Sequence, residues 1–345
     1  MIKTALFRLS LALLLAVLSA PLAAQDNPLL TTPNTPYQTP PFDLVQNEHF
    51  IPAIEEAIRQ HQAEIDAIVN NPDAATFENT IAAKDRAGLL LSYVTSVFYG
   101  MEGTVSTPEL RDLAEEISPI LTAHYDYISL NGGLFDRIKT VYDQRNELNL
   151  SAEQLNLLEK DYTNFVRRGA LLNDEQKARL REINREHSLL TQKFGKNKLA
   201  ETNSSYVVIE NESDLAGLPD NVISMGEETA KSMDMPGKWV FTTQRSSCTP
   251  FLQYSDSREL RKELLTAYSM RGDRDNEHDN KDVFKKIMAL RQERCRLLGY
   301  ETPADFYMER RMAKTPEAVD SFLWRLWKPA LKRAGAELQD MQAIM

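Results

Sequence analysis

The sequence predicts a mostly α-helical protein, and three observations carry that prediction. Glycine and proline are scarce, 13 and 16 in 345 residues, so few positions interrupt a helix. Helix-starting residues recur along nearly the whole chain. The exception is the stretch 204–244, where SYVVIE and GKWVFTTQ form short β-branched and aromatic runs bounded by turn residues. Hydrophobic residues at 42% and charged residues at 26% fit a soluble chain with enough apolar material for a large core.

The chain opens with MIKTALFRLSLALLLAVLSAPLAA, in which Lys3 and Arg8 precede an apolar run from Leu9 to Leu18 and small residues ending at Ala23 and Ala24. That pattern predicts a secretory signal over 1–24, and the apolar run is too short for a membrane anchor. The expected destination is the periplasm, with no membrane insertion after signal removal. Loss of Lys3 and Arg8 takes the formal net charge from −10 to −12. So acidic a surface excludes nucleic acid and anionic lipid as main partners.

From 25 to 46, Pro28, Pro33, Pro36, Pro40 and Pro41 forbid a helix and predict an extended arm. A helical domain is expected over 47–203. It starts with Ile51, Ile54, Ile58, His61, Ile65 and Ile68 on one stripe. Thr76 is read as the start of a helix through FENTIAAKDRAGLLLSYVTSVFYG, and Thr107-Pro108 as the start of the next. Ser151 with Gln154, and Asn173 with Gln176, have capping-box spacing, the second opening a long helix with Leu180, Ile183, His187, Leu190 and Phe194 on one stripe.

The runs in 204–244 predict a small α/β insertion, a strand pair around a helix near 219–234. A helical segment is expected over 245–345, with starts at Asp256 with Glu259, and at Thr249-Pro250, Thr302-Pro303 and Thr315-Pro316. The last of these carries Val319, Phe322, Leu323, Leu326, Ala330, Leu331, Ala334, Leu338, Met341 and Met345 on one apolar face.

Chemistry-bearing motifs are few. A helical zinc site needs two imidazoles four residues apart and a glutamate beside them. No two of His49, His61, His124, His187 and His278 have that spacing. His61 and His187 read as seam histidines on apolar stripes. The stretch DRDNEHD at 273–279 alternates carboxylates like a calcium loop, but His278 stands where glycine is needed and Phe284 where a bidentate glutamate is needed. It reads instead as a solvated loop with Asp279 as a cap. Cys248 and Cys295 could bridge in an oxidising compartment, but Cys295 shares a stripe with Phe284 and Met288, which favours a buried free thiol. Glycine-rich phosphate loops and nucleophile elbows are absent from the sequence.

Several longer stretches carry a resemblance that no single motif does. EHFIPAIEEAIRQHQAEIDAI, TFENTI, KARLREINREHSLLTQKFGKNKLAET, DLAGLPDNVI, GKWVFTTQ, RELRKELLTAYSMRG and MALRQERCRLLGYETPADFYMERRMAKTPEAV occur in that order. Together they resemble the thimet oligopeptidase family of zinc metallopeptidases. The DLAGLP and GKWVFT segments and the LLGY-x-x-x-ADF arrangement from Leu297 to Phe306 resemble its bacterial peptidyl-dipeptidase (Dcp) branch, with oligopeptidase A a near relative.

The resemblance implies the helical N-terminal lobe of a two-lobed, channel-type peptidase that takes short unfolded peptides and, in that branch, releases C-terminal dipeptides. It also implies zinc as cofactor. The HExxH helix and the substrate-binding residues of the family lie in a C-terminal catalytic half that is absent here. No catalytic or metal-binding residue is therefore expected in this chain, which reads as an incomplete, inactive portion whose partner is the missing half; which of its side chains contact substrate stays unassigned. The alternative is a stand-alone exported helical protein that binds peptides or a partner without catalysis.

Overall fold

The computed structural model describes residues 27–344; the expected signal at 1–24 and the last stripe position, Met345, lie outside the described residues. The architecture is mostly helical with one two-stranded sheet, as the composition predicts. The chain divides into two compact units, with the boundary between Leu172 and Asn173. The 47–203 stretch expected as one helical domain is thus shared between them, because the Asn173–Gln176 capping box starts a new helix in the second unit.

Unit 1 begins with the proline-rich arm, which is not simply extended. It turns at Pro36–Gln38 in a 3-10 turn, with Tyr37 at φ 59, and is pinned at both ends. Leu29 and Val45 are buried in the core, and Asn27 donates to the carbonyl of His49 at 2.8 Å. Prolines exclude the helix, as expected. Burial of two aliphatic side chains folds the arm against the unit.

Six helices follow: α1 (Phe50–Val69), the short α2 (Ala83–Arg86), α3 (Leu89–Thr104), α4 (Pro108–Ser129), α5 (Gly132–Asp143) and α6 (Ala152–Arg167). Thr76 caps as predicted, its hydroxyl accepting from Asn79 N at 3.2 Å, but it opens a π-helical stretch, Phe77–Ala82. The single helix expected here is also broken at Gly88, which has φ 76. There the backbone turns over the ring of His61, and Gly88 N donates to Glu64 Oε2 at 2.7 Å.

Two apolar clusters fill the unit. One joins α1, α3 and α4 around the edge-to-face pair Phe50 and Phe98, with centroids 5.0 Å apart. The other joins α1, α5 and α6 and is flanked by Tyr142 stacked on Tyr162 at 3.8 Å.

Unit 2 contains α7 (Asp174–Ser204), β1 (Tyr206–Ile209), α8 (Asp220–Ser232), β2 (Trp239–Thr242), α9 (Arg245–Tyr254), α10 (Arg258–Ser269), α11 (Lys281–Leu297), α12 (Pro303–Met308) and α13 (Pro316–Ile344). The strands pair antiparallel, with Tyr206 opposite Thr242 and Ile209 opposite Trp239. Alternation along β1 sends Val207 and Ile209 into a core with Phe241, Phe251, Leu264 and Cys248.

Two predicted boundaries shift, and one predicted stripe turns. Thr249-Pro250 lies inside α9, which starts after Gln244. The start read at Asp256 belongs to Ser257, whose hydroxyl accepts from Leu260 N at 3.3 Å, while Asp256 N is used by the carbonyl of Ala216. In α11 the buried stripe is Val283, Ile287 and Leu290, leaving Phe284 52% exposed. Cys295 is nonetheless buried, and neither cysteine is in a disulfide. Along α13 the apolar face is half-buried at Val319 and exposed from Phe322 onward, with Phe322, Leu323, Trp324, Leu326 and Trp327 each about half accessible.

Candidate functional site

In unit 1, four helices bring charged and polar groups to one cleft of about 310 Å³. The helix α1 supplies His61 from its apolar stripe, α2 supplies Lys84 and Asp85, α4 supplies Tyr125, and α6 supplies Asp161 and Phe165, with Arg168 just beyond its end. His61 Nδ1 lies 3.0 Å from Nε2 of His124, which is 3% exposed. His124 Nδ1 is sealed from solvent and has no partner.

The single proton between the rings can be assigned from that orphaned atom. A buried N–H without an acceptor is rarer than a bare acceptor, so the proton sits on His124 Nε2 and is donated to His61. His61 then carries its own proton on Nε2, the ring nitrogen left free of protein partners. Burial and the neighbouring His61 push His124 down to about 4. Burial lowers His61 as well, opposed by Glu64 and reinforced by Lys84. Both imidazoles are neutral near pH 7.

Lys84 Nζ donates to the two Asp161 oxygens at 3.0 and 3.1 Å and lies 5.9 Å from the Phe165 ring centroid. Burial raises the Asp161 carboxyl above its ordinary range, against the pull of the Lys84 ammonium. The pair therefore does not fully recover the cost of removing the carboxylate from water, and its main effect is to fix geometry.

Unit 2 treats its polar groups differently. The α7 stripe that begins with Leu180 and Ile183 continues as buried Asn197 and Glu201. Asn197 donates to Asn280 Oδ1 at 3.0 Å, and Glu201 holds Arg274 at 3.1 Å and accepts from Asn276. In the 273–279 loop, the Lys281 ammonium sits 2.6, 2.9 and 2.6 Å from Asp273, Asp275 and Asp279. Hydrogen bonds from Lys281 hold the Asp279 carboxyl at about 2. Lys281 N also donates to Asp279 Oδ1 at 2.9 Å, so Asp279 takes the first helical N–H, but the cap position is Asn280, one residue later than predicted. An ammonium thus lies among the carboxylates that had suggested a cation loop. His187, the other seam histidine, accepts from Arg291 Nε at 3.1 Å.

Comparison with known proteins adds what the geometry does not. Residues 251–345 match the family described as Peptidase family M3. The dipeptidyl carboxypeptidases of Salmonella typhimurium and Escherichia coli are each 34% identical over 319 residues, 92% of this chain and 47% of theirs. The chain belongs to Peptidase family M3. Oligopeptidase A of Salmonella typhimurium is 28% identical over 322 residues, again 92% of this chain and 47% of its own length. This M3 chain therefore spans about half the length of the curated relatives it matches.

Zinc, the metal of this peptidase family, does not fit the groups described here. His61 and His124 face each other across a hydrogen bond. The 3.0 Å between their nitrogens is too short for both to reach one tetrahedral ion at about 2.0–2.1 Å each. Among the described residues no three His, Cys, Asp or Glu side chains converge on a metal position, and no helix is long and apolar enough to cross a membrane.

The sequence places His61 on a seam, where the structure finds it. It gives no sign of the partner, because His124 is 63 residues away and Asp161 is 77 residues from Lys84. Charged residues at helical spacing look alike whether they face solvent or a cleft.

Proposed function

We propose that this chain is the N-terminal portion of an exported zinc peptidyl-dipeptidase that releases C-terminal dipeptides from short unfolded peptides. The observation that carries the reading is the 34% identity to dipeptidyl carboxypeptidases along 92% of the chain, over only 47% of their length. In this reading the metal and the hydrolytic step belong to the remaining half of such a protein. This half contributes a helical wall to the peptide channel. The pattern over 1–24 supports export to the periplasm, and the acidic balance supports peptides rather than nucleic acid as partners.

Two assays test the reading. The chain ending at Met345, supplied with zinc and a blocked tetrapeptide, is expected to release nothing. A protein extended by the following reading frame is expected to release the C-terminal dipeptide in a chelator-sensitive way. Release by the short chain, or cleavage at internal bonds by the long one, overturns the assignment; the second outcome points to an oligopeptidase A-like endopeptidase.

A second reading, a non-catalytic exported binder, draws on the exposed apolar face of α13. It predicts a reading frame that stops after Met345 and a soluble complex with a separate partner.

A further inference from the structure

The unit 1 cleft holds two kinds of charge. Lys84 and Asp161 neutralise each other at its wall, and Asp161 is 7% exposed. Asp85 and Arg168 also line the cleft, are exposed, and make no side-chain hydrogen bond or ion pair with the other described residues. Both act electrostatically on Asp161, Asp85 raising its affinity for a proton and Arg168 lowering it. One unpaired carboxylate and one unpaired guanidinium thus flank the same buried ion pair, over a floor of Ile65, Ile128 and Phe165.

A cleft lined this way has no net charge, since Lys84, Arg168, Asp85 and Asp161 cancel while the imidazoles are neutral. An anion or a cation alone would meet as much repulsion as attraction there. A molecule carrying both charges would satisfy Arg168 with its carboxylate and Asp85 with its ammonium. The Nε2 proton of His61 adds a neutral donor at the same cleft, held in place by His124 behind it and by the backbone of Gly88 over its face.

Size permits a small zwitterion. About 310 Å³ is enough to take in a whole free amino acid or dipeptide. We propose that this cleft is a binding site for a small zwitterion of the free-dipeptide class, with Arg168 and the His61 Nε2 proton taking the carboxylate and Asp85 the ammonium. The choice of dipeptide over amino acid rests on the peptidase reading; the zwitterion character rests on the cleft alone.

The test follows the imidazole NMR signals of His61 and His124 in the full chain during titration with alanylalanine, its N-acetyl derivative and its C-terminal amide. The free dipeptide is expected to shift the His61 signals at roughly millimolar concentration, with each blocked form at least about tenfold weaker. Arg168→Gln and Asp85→Asn alter exposed side chains without protein partners, so the fold should be retained, as circular dichroism would confirm. Each is expected to weaken alanylalanine roughly tenfold, and Arg168→Gln to leave the C-terminal amide unaffected.

Equal binding of blocked and free forms, unchanged affinity in both variants, or no shift with alanylalanine overturns the site. Dipeptide release by the extended protein is scored separately. Release without binding removes this site and spares the peptidase reading, whereas binding without release does the reverse.

Discussion

The two units line their clefts with charged groups of the same kinds and pair them to different extents. In unit 2 they close on one another: Glu201 meets Arg274 and Asn276, Asn197 meets Asn280, and Lys281 gathers three aspartates. The result is a loop fixed to the end of α7. In unit 1 the same chemistry leaves loose ends, an orphaned His124 nitrogen and unpaired Asp85 and Arg168 around a cleft. Buried atoms without a hydrogen-bond partner occur in both units, Glu201 Oε2, Ser255 Oγ and Arg294 Nε in one and His124 Nδ1, Tyr93 Oη and Arg137 Nε in the other. The difference lies in the cleft charges, paired around Lys281 in unit 2 and open to a ligand at Asp85 and Arg168 in unit 1.

Two glycines give the largest test of this contrast. A Cβ on Gly217 in unit 2 would lie 2.3 Å from the Tyr254 carbonyl oxygen at φ 84, and one on Gly88 in unit 1 would lie 2.6 Å from the His61 ring at φ 76. Backbone cannot yield, but a ring can swing into a cleft. Gly217→Ala is expected to cost about 2–5 kcal/mol and Gly88→Ala about 1–3 kcal/mol. Adding His61→Ala should restore part of the second loss, while Asp256→Ala should restore little of the first. Urea titrations can separate the units, because Trp239, Trp324 and Trp327 all lie in unit 2 and report it by fluorescence. Comparable rescue in both would erase the distinction.

Acid provides a smaller effect in unit 1. His124 titrates near 4 in the fold against an ordinary 6.5, so the unfolded chain binds the extra proton between those values. Its contribution to stability is present above pH 6.5 and is lost as pH falls toward about 4, by about 2–3 kcal/mol. His124→Gln should flatten that slope in unfolding followed by circular dichroism. An unchanged slope would show that the histidine pair does not control it. His187 in unit 2 is also lowered, by burial and then by Arg291 and Arg294, so His187→Gln should affect the tryptophan-reported transition instead.

The smallest expected change concerns the unit 2 loop. Lys281→Gln should let the Asp279 carboxyl titrate back up from about 2 toward the ordinary aspartate range, measured by carboxyl NMR, with little change in fold. A carboxyl that stays near 2 would assign its depression to the backbone donors rather than to the lysine side chain.

Much of the fold was legible in the sequence because it is written in local contacts. The capping boxes at Ser151, Asn173 and Thr302 start the helices expected of them, and the β-branched runs pair as strands. Local rules failed where a distant residue intervened. The helix expected from Thr76 breaks before Gly88, whose left-handed backbone lies against His61, and the proline-rich arm is drawn in by Leu29 and Val45.

The sequence by itself determined helical class, strand positions, most caps and the kinship with M3 peptidases, since periodicity and residue order are properties of the chain. Tertiary structure alone decided that His61 meets His124, that Lys84 meets Asp161, and that Asp85 and Arg168 are left facing one cleft. Those pairings join helices far apart in the chain. Burial selects them, through the cost of leaving polar groups in the core without partners, and no spacing along one helix encodes that cost.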